Sequence, residues 1–334
     1  MKTFTNLLST LQIEMQEQGQ TGTWNTYMAT ARSMLTFAAN KQITLQEVFN
    51  RAFLHRYQIY LLNRGCCYNT ISAYMRVLRA MANKAEKWNL IKLETGLFDH
   101  VYTGSEPTEK RAIPTEAVLK IGRADLKKYP HLKASRDLFM LSFHLQGISF
   151  VDLAYLRKAD LKGNFITYHR RKTGSRISVE VLEPAQDILE QYLNTDKESP
   201  YLLTILTETG EKVTTQYKST LRKFNRHLKT LAEILGMEEN LTSYVARHSW
   251  ATAAYHIGVP TTIIGAAMGH KTEEVTRVYL AAFNTETLTY ANRMVMEELF
   301  GKKEMSNKRK IWKNNTTKRG EKNVSFLIRE RHQI

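Results

Sequence analysis

Four side chains in the second half of the 334-residue chain have types and spacing suited to chemistry at a phosphodiester. Lys172 stands just before a Gly-Ser turn, and Arg247 lies in the run Thr242-Ser-Tyr-Val-Ala-Arg-His-Ser-Trp-Ala-Thr. His270 ends Ala267-Met-Gly-His, and Tyr279 follows nine residues later in Thr276-Arg-Val-Tyr-Leu. Cutting a nucleic-acid strand without metal or nucleotide needs a nucleophile at phosphorus, cations on the nonbridging oxygens and a proton for the leaving oxygen. A tyrosine phenol can attack and hold the bond energy as an ester. The planar arginine fork matches phosphate oxygens and stays charged. Lysine at a hairpin tip can supply the proton, and histidine gives acid-base help near neutral pH. Singly, each has a plain structural reading. Tyr279 is one of 16 tyrosines, Met-Gly-His is an ordinary helix end capped by glycine, and a basic hairpin is usually a solvated edge.

Charge points the same way. Lys and Arg total 48 against 32 Asp and Glu, a net charge of +16, and such an excess favours a polyanionic partner because each neutralised phosphate releases counterions. The last 34 residues hold 11 Lys or Arg against 3 Glu, half of that excess, with few apolar residues, and read as a flexible basic tail. No apolar run reaches the roughly 18 residues that span a bilayer, and the N-terminus lacks a signal-peptide layout. Cys66 and Cys67 are adjacent, too close for an easy disulfide or a C-x-x-C metal site, in keeping with a reducing cytoplasm.

The elements that must position the site are mainly helical. Phe4, Leu7, Leu8, Leu11 and Met15 recur at helical spacing, as do Met28, Ala31, Met34, Leu35 and Ala38. Thr44 with Glu47 forms a capping box that opens a third helix carrying Val48, Phe53, Tyr57, Tyr60 and Leu61 as far as Gly65. A fourth helix starts at Asn69 or Thr70 and runs to about Trp88, completing a four-helix bundle over 1–92. Gly96, Gly104, Pro107 and Pro114 mark a linker over 93–114. A second domain over 115–301 begins with two helices. A hairpin follows, made of Phe165-Ile-Thr-Tyr-His-Arg-Arg-Lys-Thr, a Gly-Ser turn and Arg176-Ile-Ser-Val-Glu-Val, before helices resume. The tail occupies 302–334. The fold class is mainly α with a small β-hairpin or sheet.

The ordered set of Arg-His-Ser-Trp-Ala-Thr, Gly-Val-Pro, Met-Gly-His and Val-Tyr, nine residues from His to Tyr, resembles tyrosine recombinases of the phage-integrase family over nearly the whole chain. That resemblance implies an N-terminal helical (SAM-like) core-binding bundle and an α+β catalytic domain. It implies Tyr279 as nucleophile, Arg247 as second phosphate-binding arginine, His270 as the group supporting the transferring phosphate, and Lys172 as general acid. Asp152 matches the acidic residue after the first arginine box. Two positions depart from the pattern. The histidine of His-x-x-Arg is Tyr244, with His248 a possible substitute, and the first arginine, counted back from Asp152 in Gln146-Gly-Ile-Ser-Phe-Val-Asp, is Ser149. A serine can bond a phosphate but not neutralise it. Arg170, two residues before Lys172 and so on its strand face, is the expected replacement cation, with Arg176 second.

The resemblance further implies a tetramer on two double-stranded DNA sites, a 3′-phosphotyrosine intermediate, and no cofactor or metal. A C-terminal helix over 286–299, with apolar anchors at Leu288, Met294 and Leu299, would pack on a neighbouring protomer. An accessory directionality protein is a further expected partner. The chain shows no arm-binding domain ahead of its first helices, which fits a DNA invertase, a resolvase or a mobile-element integrase. A type IB topoisomerase and a non-catalytic DNA-binding relative are the alternatives.

Overall fold

The computed structural model describes residues 2–39, 42–109, 111–210, 212–280 and 295, and of Thr21 and Tyr279 the backbone alone. The chain divides into two compact units, 1–109 and 110–334.

The first unit holds α1 (Phe4–Glu17), α2 (Thr21–Ala38), α3 (Leu45–Val48), α4 (Arg51–Asn63) and α5 (Tyr68–Lys87). Thr3 opens α1 by accepting a bond from the Asn6 amide, and the spaced Phe4, Leu7, Leu8, Leu11 and Met15 are all buried. Burying each such Leu or Phe contributes about 1.5–3 kcal/mol before entropy is counted. The single helix expected from Thr44 to Gly65 is two. The capping box of Thr44 and Glu47 is present, but α3 ends at Val48. The Asn50 side chain then accepts from the Ala52 and Phe53 amides and starts α4 afresh, because a short polar side chain at an N-terminus satisfies donors the helix itself cannot. The bundle therefore has five helices among its described residues, not four. Leu97, Phe98 and Val101, in the stretch expected as linker, are buried in this unit's core, so that stretch is not a bare tether.

The second unit carries α6 (Thr115–Gly122), α7 (Lys133–His144), α8 (Phe150–Ala154), β1 (Leu161–Lys162), β2 (Phe165–His169), β3 (Arg176–Glu180), α9 (Glu183–Tyr192), α10 (Lys212–Ile234), α11 (Val245–His256), α12 (Thr261–Ala267) and α13 (Glu273–Tyr279). The strands form one antiparallel sheet in the order β1-β2-β3, one strand more than the expected hairpin. Ile166 pairs with Val179 and Tyr168 with Ile177, and all four side chains are buried, as the two-residue period requires. α11 packs on α7 and α12, and α12 packs on α13.

The hairpin ends sooner than its alternating pattern suggests. The Arg170 amide donates to the Ser175 carbonyl and the Gly174 amide donates to the Arg170 carbonyl, so the chain reverses over 171–174. Lys172 thus lies in the turn, and the same-face argument linking it to Arg170 does not hold. No helix among the described residues is long and apolar enough to cross a membrane. The helix expected over 286–299 and the tail over 302–334 lie outside the described residues, Val295 apart.

Candidate active site

α11 brings Arg247 into the second unit's interior in its first turn, where small residues, Ala246 and Ala251, let neighbouring elements approach. Arg247 is 1% exposed. A guanidinium so buried must spend its donors. Its Nη1 donates to the Gly147 carbonyl at 2.7 Å, and its Nη2 reaches the Met268 carbonyl and His270 Nε2, the latter at 3.3 Å. Gly147 sits at φ +67°, and a Cβ there would lie 2.9 Å from the Arg247 Cα. Only glycine lets the 146–149 turn close over the arginine. Gly147→Ala is therefore expected to lower stability by about 1–3 kcal/mol and, by displacing Arg247 by an ångström or so, to cut strand cleavage about 10²-fold. A melting curve and single-turnover cleavage check this, and a wild-type rate would contradict it.

The turn after α12 is the second anchor. Gly269 takes φ +64°, the Gly269 amide bonds Ala266 and the His270 amide bonds Gly265, a glycine-capped helix end. The carbonyls left over carry the negative end of the helix dipole. Met268 O receives Arg247, and Gly269 O receives Arg170 Nη1 at 3.0 Å and Thr173 Oγ1 at 3.1 Å. Arg170, 3% exposed, thus lies beside the same turn, and its Nε is buried without a hydrogen-bond partner among the described residues. Thr173 ties the tip that carries Lys172 to the same carbonyl.

His270 is the meeting point. Arginine can only donate, so Nε2 accepts from Arg247 and the proton sits on Nδ1, which donates to Thr276 Oγ1 at 2.9 Å. Burial, and then the charges of Arg247, Arg170 and Lys172, push the imidazole down to about 3. Arg247 bonds the ring directly, and the ring so held is neutral at pH 7. Because an unfolded histidine takes its proton near pH 6.5, acidifying from about 6.5 towards 3 protonates only the unfolded chain. The stability contributed by His270 is full above that window and declines through it. The His270 ring signals in an NMR titration are expected to stay flat between pH 8 and 5, and a midpoint near 6.5 would contradict this environment.

The remaining expected residues fall as follows. Ser149 caps α8, and its hydroxyl donates to Asp152 Oδ2 at 2.6 Å. Asp152, 3% exposed, accepts from the Arg171 amide through Oδ1 at 2.8 Å, so one buried carboxylate joins the Ser149 turn to the hairpin tip. Arg171 lies over the Tyr155 ring at 4.0 Å, and Arg176 is exposed on β3. Tyr244 stands at the start of α11, 37% exposed, its ring 6.2 Å from that of His248. Tyr279 closes α13, three residues after Thr276. The geometry gathers Arg247, Arg170 and His270 with Lys172 nearby, while Tyr244 sits with His248. Residues with no assigned role in the sequence reading are Gly147, Thr276 and Tyr168. The Tyr168 hydroxyl is pushed up by burial and by Asp152, with Arg247 and Arg170 opposing, so it borders the same cluster.

Two family models match the chain: one described as phage integrase SAM-like domain over residues 3–96, the other as phage integrase family over 130–286. No curated protein sequence gives a significant match. Among solved structures, a lambda integrase dimer bound to a COC′ core site is similar at 13% identity and TM-score 0.60, covering 83% of this chain and 77% of that one. The Tn1549 transposon integrase in complex with a circular intermediate DNA is similar at 16% identity and TM-score 0.58, covering 88% of this chain and 100% of that one. A lambda integrase tetramer bound to a Holliday junction is similar at 14% identity and TM-score 0.56, covering 78% and 72%. At such identities the likeness shows a shared fold. Matched by family models in both of its units, the chain belongs to the phage integrase family and is a tyrosine recombinase, of the enzymes that cleave and rejoin DNA in site-specific recombination.

Proposed function

We propose that the chain cuts and rejoins double-stranded DNA through a 3′-phosphotyrosine on Tyr279, serving inversion, excision or integration of a DNA segment. The observation that carries this is the convergence of Arg247 and Arg170 on the 268–270 turn, to which Thr173 also ties the hairpin tip that holds Lys172, within the chain that runs on to Tyr279. In this reading the Tyr279 oxygen attacks phosphorus while the Arg247 and Arg170 forks hold the nonbridging oxygens. His270 steadies the same phosphate, and Lys172 gives its proton to the leaving 5′-oxygen. The phenol's proton passes to water as its bond to phosphorus forms; a 5′-hydroxyl from a partner duplex then attacks the phosphotyrosine, returning its proton to Lys172, and the freed phenolate takes a proton from water. The secondary proton-transfer role that the family gives to the histidine of His-x-x-Arg falls to Tyr244 or to His248, whose rings neighbour each other. The bond energy is conserved in the ester, so the reaction needs no metal or nucleotide. Four protomers on two sites, within the cytoplasm, are the working assembly, in keeping with the fold shared with the tetrameric lambda integrase complex.

Ser149 stands where the family carries its first arginine. With its hydroxyl held by Asp152, the missing positive charge falls to Arg170. Arg170→Ala is expected to lower single-turnover cleavage by about 10²–10³-fold, the scale of losing one preorganised donor, equivalent to about 2.7–4 kcal/mol of barrier. Undiminished cleavage would remove Arg170 from the clamp.

A nicked suicide substrate carrying DNA from beside the gene tests the whole reading. Wild-type protein should give a covalent protein–DNA band in denaturing gels. DNA binding without that band would instead indicate a non-catalytic relative. Relaxation of supercoils without joining two sites would indicate topoisomerase-type action.

A further inference from the structure

Thr276 is wholly buried, 0% exposed, at a place where a threonine hydroxyl has nothing to gain from water. Its Oγ1 meets His270 Nδ1 at 2.9 Å. On its other side the α12 backbone comes so close that a Cβ added to Gly265 would lie 2.8 Å from Oγ1. Valine would fill the same space without a polar atom, and the helix would pack as well. Among the described residues the hydroxyl's polar partner is the ring nitrogen facing away from Arg247.

With Arg247 donating to Nε2, the imidazole shows its lone pair to the cation cluster. That orientation opposes a bound phosphate. A nonbridging phosphate oxygen is an acceptor only, and it would face the Nε2 lone pair once the arginine turned to the phosphate. The ring can bond that oxygen while staying neutral only as the other tautomer, with the proton on Nε2. Nδ1 then becomes an acceptor and needs a donor opposite it. A buried hydroxyl serves both states, because it donates or accepts by rotating about one bond. A carboxylate would fix Nδ1–H and draw the ring towards its charged form, and a methyl would serve neither.

We propose that Thr276 is the positioning residue of His270, a hydroxyl rotor that accepts from Nδ1–H in the free enzyme and donates to Nδ1 when a phosphodiester occupies the site. Nε2 takes one proton from solvent, Nδ1 releases one to solvent, and one hydroxyl turns; the ring's charge does not change. This rests on the proposed role of His270 at the transferring phosphate, and it adds what selects the ring's tautomer.

The test compares wild type, Thr276→Val and Thr276→Ser, first for melting temperature and then by two readouts. Nitrogen NMR of His270 is recorded in the free protein and in a complex of the Tyr279→Phe form with duplex site DNA. The free protein should show a protonated Nδ1 and the complex a protonated Nε2. The same tautomer in both states overturns the rotor. In single-turnover cleavage, Thr276→Val should fall by about tenfold to a hundredfold, the scale of losing a group that orients a functional histidine. Thr276→Ser should recover most of that loss, and its pH profile should follow the wild type. A Val variant cleaving at the wild-type rate, or a Ser variant as slow as Val at equal melting temperature, also overturns the proposal. Should Val fail to fold, the serine variant and the wild-type tautomers still decide it. Absence of any covalent adduct from the wild-type protein would count against the functional reading itself, while the NMR comparison would continue to report on Thr276.

Discussion

Tyr279→Phe is expected to bind site DNA as the wild type does and to form no covalent adduct, with cleavage reduced about 10⁴-fold or more, as when a covalent nucleophile is removed. The change takes away one oxygen and leaves the ring. Binding and cleavage separate cleanly for this reason. Affinity for DNA comes from many phosphate contacts spread over a basic protein, and the chain carries an excess of 16 positive charges, of which none is touched. Gel-shift titration with a suicide-substrate assay measures both. An adduct of undiminished yield in the phenylalanine variant would move the nucleophile to another residue.

Arg247→Ala should be nearly as damaging to chemistry and worse for the fold. The guanidinium proposed as a clamp is also a keystone: it bonds the Gly147 carbonyl, the Met268 carbonyl and His270. Removing it forfeits a preorganised cation, about 10²–10³-fold in cleavage. It also strands buried carbonyl oxygens, at about 1–3 kcal/mol for each acceptor left unsatisfied. Relief of repulsion from Arg170 and Lys172 offsets part of this. The variant should therefore melt at lower temperature yet still bind DNA. A further sign separates the electrostatic role from packing. Arg247 is the largest of the charges that hold His270 below its ordinary range, so in Arg247→Ala that ring should titrate at higher pH than in the wild type. Arg247→Lys, which keeps the charge without the fork, should leave the ring low while cleavage stays impaired. An unchanged His270 titration in the alanine variant would contradict the arrangement.

Much of this architecture was legible from residue spacing. The apolar positions of α1 lie in the core as the 3.6-residue period requires, and α5 begins at Tyr68, just ahead of the expected Asn69 or Thr70. The strand alternation around Tyr168 and Ile177 is present in register. Where spacing failed, a local interaction had intervened. The Thr44 capping box is real, but Asn50 competes for the next amides and restarts the helix, an effect invisible to a periodicity that continues through the break. The alternation argument reached Arg170 by a premise that the hairpin does not satisfy, since Lys172 lies in the turn. The arginine comes to the site through the Gly269 carbonyl instead. Backbone acceptors carry no sequence signature. Nothing in Gln146-Gly-Ile-Ser signals that the Gly147 carbonyl receives a guanidinium from residue 247. Thr276 could have been singled out as a buried polar residue on the helix of the presumed nucleophile. Its meaning required the distance to His270.

The most direct measurement is peptide mapping of the covalent complex. Wild-type protein is trapped on a suicide substrate, digested with protease and nuclease, and the nucleotide-bearing peptide is sequenced by mass spectrometry. The expected peptide contains Thr276-Arg-Val-Tyr-Leu with a nucleotide joined by its 3′-phosphate to Tyr279. A nucleotide attached to any other residue, or joined through its 5′-phosphate, would contradict phosphotyrosine chemistry at this centre.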